Sequence, residues 1–135
     1  MVIAILGILA AISIPNFTRY RAMAERANVL ITLKYLMDGE DLYFTENDEY
    51  FPSKGTLKIP EGKAVEIPEL AYNFPEGHKN SYRIKGTHNK NFTRYEITVS
   101  CNFDSNGNGK KDRFDAKTEI KKGNVTHNRE VVQTQ

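Results

Sequence analysis

From Met1 to Ile14 the chain carries no charged residue and only one polar side chain, Ser13; after Pro15 it turns strongly polar. A helix that is apolar on every face is stable only when something apolar surrounds it. Fourteen helical residues rise about 21 Å, which falls short of the roughly 20 residues that cross a bilayer. Three readings compete: the core of a secretory signal, a buried core helix, and the surviving part of a membrane helix whose beginning is missing. A signal peptide opens with positive charge, but here no Lys or Arg precedes the run and the first is Arg19. Nothing later in the chain is apolar enough to wrap a core helix. The membrane reading is therefore favoured.

The helical pattern continues past the apolar run. Between Asn16 and about Thr45 there is no proline and one glycine, Gly39, while Met23, Ala27, Leu30, Leu33 and Met37 recur at steps of three and four. Ala24, Ile31 and Tyr35 widen that stripe, and Arg19, Arg26, Lys34, Asp38 and Asp41 punctuate the other sides. The pattern predicts one long helix of about 65 Å, apolar over 1–15 and amphipathic over 16–46. Pro15 lacks a backbone donor and crowds the preceding turn, so a kink or local melting is expected there; a separate helix starting at Pro15 is the alternative.

The remainder, 47–135, reads as one globular head. Pro52, Pro60, Pro68 and Pro75, interleaved with Gly55, Gly62 and Gly77, predict an irregular connection over 47–80 with at most one short strand. Alternation then takes over: Tyr82 and Ile84, a hairpin loop over Gly86–Asn91, then Tyr95, Ile97, Val99 and Cys101, then Phe114, Ala116, Thr118 and Ile120. Strands are expected within 81–126, and the tail 127–135 adds a short edge strand around Val131 and Val132. The fold class is α+β, a long N-terminal helix laid on a three- to four-stranded antiparallel sheet. A length of 135 residues fits one head on one stalk, and 19 Lys+Arg against 17 Asp+Glu, a net +2, is too close to balance to point to nucleic acid. The lone Cys101 excludes an intrachain disulfide and a CxxC metal or redox pair.

The segment Met1-Val2-Ile3-Ala4-Ile5-Leu6-Gly7-Ile8-Leu9-Ala10-Ala11-Ile12-Ser13-Ile14-Pro15-Asn16-Phe17 resembles the N-terminus of type IV pilins and of type II secretion pseudopilins, where an Ile/Leu/Val run with an internal Gly ends in Ala-Ala-Ile-x-Ile-Pro. Arg19, Tyr20, Arg21, Tyr43 and Tyr50-Phe51-Pro52 are also similar to bacterial pilins, whereas the head is only loosely alike. The family's mature chain opens several residues earlier, with an N-methylated aromatic residue and a glutamate about one turn in, neither of which is in this sequence. With Met1 inside the motif, the expectation is a chain lacking its leader and first mature residues. About seven more would bring the apolar run to a bilayer span.

The resemblance implies a structural subunit. Such a pilin waits in the inner membrane and is then extracted by a pilus assembly machinery into an extracellular helical filament of copies of itself, whose core is made of the apolar half-helices. The residues implied for that core are Ile3, Ile5, Leu6, Gly7, Ile8, Leu9, Ala10, Ala11, Ile12, Ile14 and Pro15. Small residues at Gly7, Ala10, Ala11 and Ser13 would let neighbouring helices approach closely, although helix propensity alone also accounts for the alanines. The alternative is a major pseudopilin of a type II secretion system; a membrane-anchored binding module or enzyme is a third class.

One loop carries chemistry of its own. Laid on the twelve-residue EF-hand pattern, Asp104, Asn106 and Asn108 take the first, third and fifth positions, Gly109 the sixth, Lys110 the seventh with its backbone carbonyl, Asp112 the ninth and Asp115 the twelfth. Lys111 at the eighth position, the shorter Asp at the twelfth and flanking strands depart from that pattern. Calcium loops of this sort also resemble those of some major pseudopilins. The competing reading is a Gly/Asn/Asp turn between two strands, so calcium is expected as an option and no cofactor as a requirement. His78, His88 and His127 lack metalloenzyme spacing, and no nucleophile elbow or phosphate loop occurs, so catalysis is not expected. Cys101 reads as a small core residue, Tyr20, Tyr35 and Tyr43 as core contacts, and the triplets at Asn16, Asn91 and Asn124 as chance glycosylation patterns.

Overall fold

The structure, a computed structural model, describes residues 2–121 and 129–134. Helix α1 spans Val2–Asn47. Strands β1 (Thr56–Ile59), β4 (Ser81–His88), β5 (Phe92–Ser100), β6 (Arg113–Lys121) and β7 (Glu130–Gln133) form one antiparallel sheet in the order β1-β4-β5-β6-β7. Strands β2 (Val65–Ile67) and β3 (Tyr72–Phe74) pair separately, joined by a 3-10 turn over Pro68–Leu70. The expected tail strand is present at Val131 and Val132; Asn124 and His127 lie outside the described residues.

Two expectations about the connection are corrected. It holds three strands rather than at most one, and β1 makes the sheet five-stranded. The prolines end strands instead of preventing them: Pro60 follows β1, Pro68 follows β2 and Pro75 follows β3, where no ladder donor is needed. Gly86, expected in the hairpin loop, sits inside β4 opposite Tyr95. A Cβ there would run into the Pro52 carbonyl oxygen, so the strand passes under the connection only because position 86 is glycine.

Helix α1 runs unbroken through Pro15. The separate-helix alternative is thereby excluded, and the expected melting is absent from the isolated chain: one missing donor is a small defect in a helix of 46 residues. The packed stripe matches the expected one at Leu33 and Met37 and departs from it elsewhere. Ala22, Val29, Leu33, Leu36, Met37, Gly39 and Glu40 are buried, whereas Met23, Leu30, Ile31 and Tyr35 are exposed. Both sets have helical spacing, and tertiary contacts choose between them. Gly39 is one such contact: a Cβ on it would lie 2.5 Å from the Leu70 carbonyl oxygen, so the helix comes down onto the 3-10 turn at that point. Tyr20 and Tyr35 are likewise exposed, not core, though Tyr35 sits 6.5 Å from the ring of Tyr72. Tyr43 meets Phe51 edge-on.

Against this stripe the sheet presents Ile59, Tyr82, Ile84, Tyr95, Ile97, Val99, Phe114 and Ala116, all buried. Leu57, Ile84, Ile97, Ala116 and Val131 stand opposite one another in a row across all five strands. Arg83, Lys85, Arg94, Glu96 and Lys117 alternate with these residues and face water.

Glu40 is fully buried in this apolar stripe. Its Oε2 accepts a hydrogen bond from the Phe51 N–H at 2.8 Å, tying the start of the connection to the helix, while its Oε1 has no partner among the described residues. Burial, only partly offset by the Phe51 donor and reinforced by neighbouring Asp41, pushes its pKa from 4.5 up to about 8. Nearby, Arg129 of the tail reaches Asp38 at 2.6 Å and Asp41 at 3.3 Å, bridging the far end of α1 to β7.

Two outcomes are expected. Gly39→Ala gains up to about 1 kcal/mol of helix propensity but drives a methyl into a backbone carbonyl, which costs about 1–3 kcal/mol; its melting temperature in detergent should fall. Between pH 4.5 and about 8 folded Glu40 keeps a proton that the unfolded chain has released, so its contribution to stability declines as pH rises through that window. Glu40→Gln keeps an acceptor for Phe51 and never ionises. Melting curves of that variant from pH 5 to pH 8 should lack a downward slope worth on the order of a few kcal/mol in the parent; equal slopes would show that the carboxyl does not titrate there.

Candidate functional site

The described half-helix residues, Val2 to Arg21, are all exposed. Ile3, Ile5, Leu6, Gly7, Ile8, Leu9, Ala10, Ala11, Ile12, Ile14 and Pro15 line this free stretch, and head packing begins only at Ala22. By length and composition α1 can cross a membrane, and none of its most apolar stretch is buried. Val2, Ile3, Ile5, Leu6, Ile8, Leu9, Ile12, Ile14 and Phe17 are each more than half exposed. Covering side chains of this kind is worth roughly 1.5–3 kcal/mol apiece, so leaving them in water forgoes on the order of 10–20 kcal/mol, comparable to the whole stability of a domain. The segment is built for lipid or for protein neighbours. A Cβ added at Gly7 would meet nothing within 4 Å, so the chain's own fold makes no demand for glycine there.

The β5–β6 loop extends its hairpin. The Cys101 N–H donates to the Asp112 carbonyl at 2.9 Å and the Asp112 N–H to the Phe103 carbonyl at 2.8 Å, closing a neck. Beyond it, Asp104 accepts from the N–H groups of Gly107 and Gly109, Asn106 from that of Asn108, and Asn108 from that of Lys110. Desolvation raises the pKa of Asp104, but backbone donors led by Gly109 and Gly107 outweigh it and hold the carboxyl below its usual range. Asp112 is buried; its Oδ2 accepts from the N–H and hydroxyl of Ser105, and its Oδ1 has no partner among the described residues.

Asp115 does not join them. It lies in β6, where its Oδ1 accepts from Thr98 at 2.7 Å and from Arg113 at 3.3 Å and its Oδ2 from Thr134 at 3.1 Å. The ladder starts at Arg113, so alternation sends Phe114 inward and Asp115 to the opposite face. The expectation that three carboxylates converge is therefore corrected, and no group of three or more His, Cys, Asp or Glu able to hold a metal ion forms among the described residues. The set that remains near the loop is Asp104, Asn106, Asn108, the Lys110 carbonyl and Asp112, in which the orphaned Asp112 oxygen is the one atom whose environment calls for a cation or donor.

The other candidates are structural. Cys101 is buried, and burial first, then nearby Asp112, pushes its thiol up to about 12, leaving it unreactive. His78 bridges the carbonyls of Asn80 and Lys63 at 2.7 and 2.9 Å. Sequence reasoning missed Glu40, although an acid in helical register with Leu33, Leu36 and Met37 was a visible signal. It also missed Arg129, whose partners lie some ninety positions away and leave no local trace.

No established family profile matches the chain, and no solved structure matches it. Among curated proteins it is 42% identical over 50 residues to the type IV major pilin protein PilA of Myxococcus xanthus (strain DK1622). That match covers 37% of this chain and 23% of the relative, so the chain aligns with about a quarter of the relative's length. With a long apolar N-terminal helix laid on an antiparallel sheet, the chain is similar to a type IV pilin in both sequence and architecture.

Proposed function

We propose that this chain is a structural pilin subunit that polymerises through α1 into an extracellular type IV pilus. The observation that carries the reading is the bare half-helix: nine large apolar side chains projecting from a head that does not cover them. Lipid of the inner membrane covers them before assembly, and neighbouring half-helices replace the lipid in the filament. Gly7, free of any role in the chain's own packing, then serves close helix approach. The same contact repeated by a screw operation grows an open filament instead of a closed ring. The partners are copies of the chain, the membrane and an assembly machinery; the role is structural rather than enzymatic, in keeping with a relative named as a major pilin.

The test is removal of residues 1–21. The truncated head should be monomeric by sedimentation, and the full-length subunit should be found by mass spectrometry in sheared surface filaments. Ordered filaments growing from the truncated head would sink the reading.

A second reading, a major pseudopilin with a calcium-binding loop, is favoured by the buried, partnerless Oδ1 of Asp112 beside the Asp104 turn. Lys110 and Lys111 next to the loop would make such a site weak, with a Kd of about 10⁻⁴–10⁻³ M. Millimolar calcium would then add about 0.4–1.4 kcal/mol of stability. The chain should melt a few degrees higher in several millimolar calcium than in chelator, and Asp104→Ala should abolish the difference. Identical melting in both would leave the loop a turn.

A further inference from the structure

The end of the head nearest the apolar half-helix carries a cluster of exposed cations. Tyr95, in the middle of β5, meets Tyr50 just past the end of α1, while Asn102 and Phe103 beyond β5 share a depression with Ala22 and Glu25, so the two ends of the sheet lie at different levels of the helix. The hairpin 89–91 occupies one end. The loop 101–112 and the connection 75–80 occupy the other, close to where α1 leaves the head. Asp104–Gly107 share one surface depression with Thr18 and Arg19. Lys79, Asn102 and Phe103 share another with Thr18, Arg21, Ala22 and Glu25.

Five cations gather at this level: Arg19, Arg21, Lys79, Lys110 and Lys111, all exposed. The acids among them are Glu25, exposed Glu76 in the 75–80 connection, Asp104 and buried Asp112. Arg21 and Lys79 share Glu25 at 3.2 and 3.3 Å, and Lys111 donates to the neutral Asn102 at 2.6 Å. Arg19 and Lys110 have no acidic partner within ion-pair distance among the described residues. Asp104, whose oxygens accept from Gly107 and Gly109, stays ionised beside them but forms no ion pair with either. Cations thus outnumber acids at this end, and Arg19, Lys110 and Lys111 are the ones not held by a carboxylate.

The height of the cluster fixes what it can meet. From Ile14, the last residue of the apolar run, to Arg19 the helix rises about 7.5 Å, and the headgroup layer of one leaflet is about 5–8 Å thick. With α1 inserted up to Ile14, Arg19 and the loop beside it stand within the phosphate layer. Insertion topology does not account for these cations, because cytoplasmic flanks, and not the flank on the head's side, are the ones enriched in Lys and Arg.

We propose that Arg19, Arg21, Lys110 and Lys111 form a docking surface for anionic phospholipid headgroups, which holds the membrane-resident head flush against the bilayer, with Lys79, fixed on Glu25, standing behind them. This rests on the membrane insertion of α1 proposed above. Extraction into a filament would then break the headgroup contacts along with the lipid contacts of the half-helix, so the lipid charge around the subunit sets part of the cost of leaving the membrane.

The experiment reconstitutes the full chain into vesicles of phosphatidylcholine alone or mixed with phosphatidylglycerol, each doped with a lipid carrying a gadolinium chelate on its headgroup. Paramagnetic relaxation at the amides of Gly107 and Gly109 reports how close the loop lies to the headgroups. Relaxation should be several-fold stronger in the mixed vesicles and should fall to the phosphatidylcholine level at ~1 M salt, where charges are screened within about 3 Å. Lys110→Ala with Lys111→Ala should lower the docked-to-undocked ratio roughly fivefold per charge removed. Lys90→Ala with Lys121→Ala, at the other end of the strands, should leave it unchanged. A chain that alkaline carbonate washes off the vesicles would overturn both the insertion and the docking. A chain that stays inserted, but whose loop relaxes equally in both lipids, would overturn the docking alone.

Discussion

Helix α1 is one continuous element that answers to two environments. Along its distal part Val29, Leu33 and Leu36 are removed from water by the sheet, while Val2–Arg21 are left for a surrounding the chain does not supply. Because the helix is unbroken, no loop separates the two parts, and the head is carried on the same element as the apolar half. The sheet's row of Leu57, Ile84, Ile97, Ala116 and Val131, the close approach at Gly39 and the hydrogen bond from Phe51 to Glu40 all fasten the head to that rod.

The attachment is polar as well as apolar. Glu40 places a carboxyl where an aliphatic side chain would pack, and the Phe51 N–H that it accepts is one that the irregular start of the connection would otherwise bury without an acceptor. One hydrogen bond therefore compensates a backbone group at the expense of a desolvated carboxyl, and protonation is what limits that expense. Arg129 works at the surface beside it, where two acids on successive turns give the tail a fixed place to land. Surface ion pairs of this kind contribute little individually; their use here is positional.

What the sequence disclosed follows the range of the interactions involved. The apolar run and the alternation in β4, β5 and β6 are local patterns, and they were legible with nearly correct bounds. The face of α1 that packs was legible only in part: Leu33 and Met37 were in the expected stripe, but Met23, Leu30 and Ile31 repeat with the same period as Val29 and Leu36, and tertiary contacts such as the meeting of Gly39 with Leu70 choose between them. The prolines of the connection read as breakers when they are strand terminators, since a proline one residue past a strand and a proline inside a loop look alike in one dimension. The loop's first positions fell into turns that accept its own backbone donors, whereas Asp115 was placed by the ladder register of β6, a long-range property with no signature in the twelve residues around it.

The sheet's two borders carry a further consequence. Strands β1 and β7 are four residues each. β1 is bracketed by Gly55 at φ +90° and Pro60, with Lys58 on its exposed side, and β7 opens on Glu130. A bare strand is a template on which another strand can add, and brevity, proline and charge are the means by which proteins discourage it. Heads at the high local density of the proposed filament would otherwise be drawn to zip together edge to edge. With both borders blunted, heads brought side by side can touch without fusing into a continuous sheet.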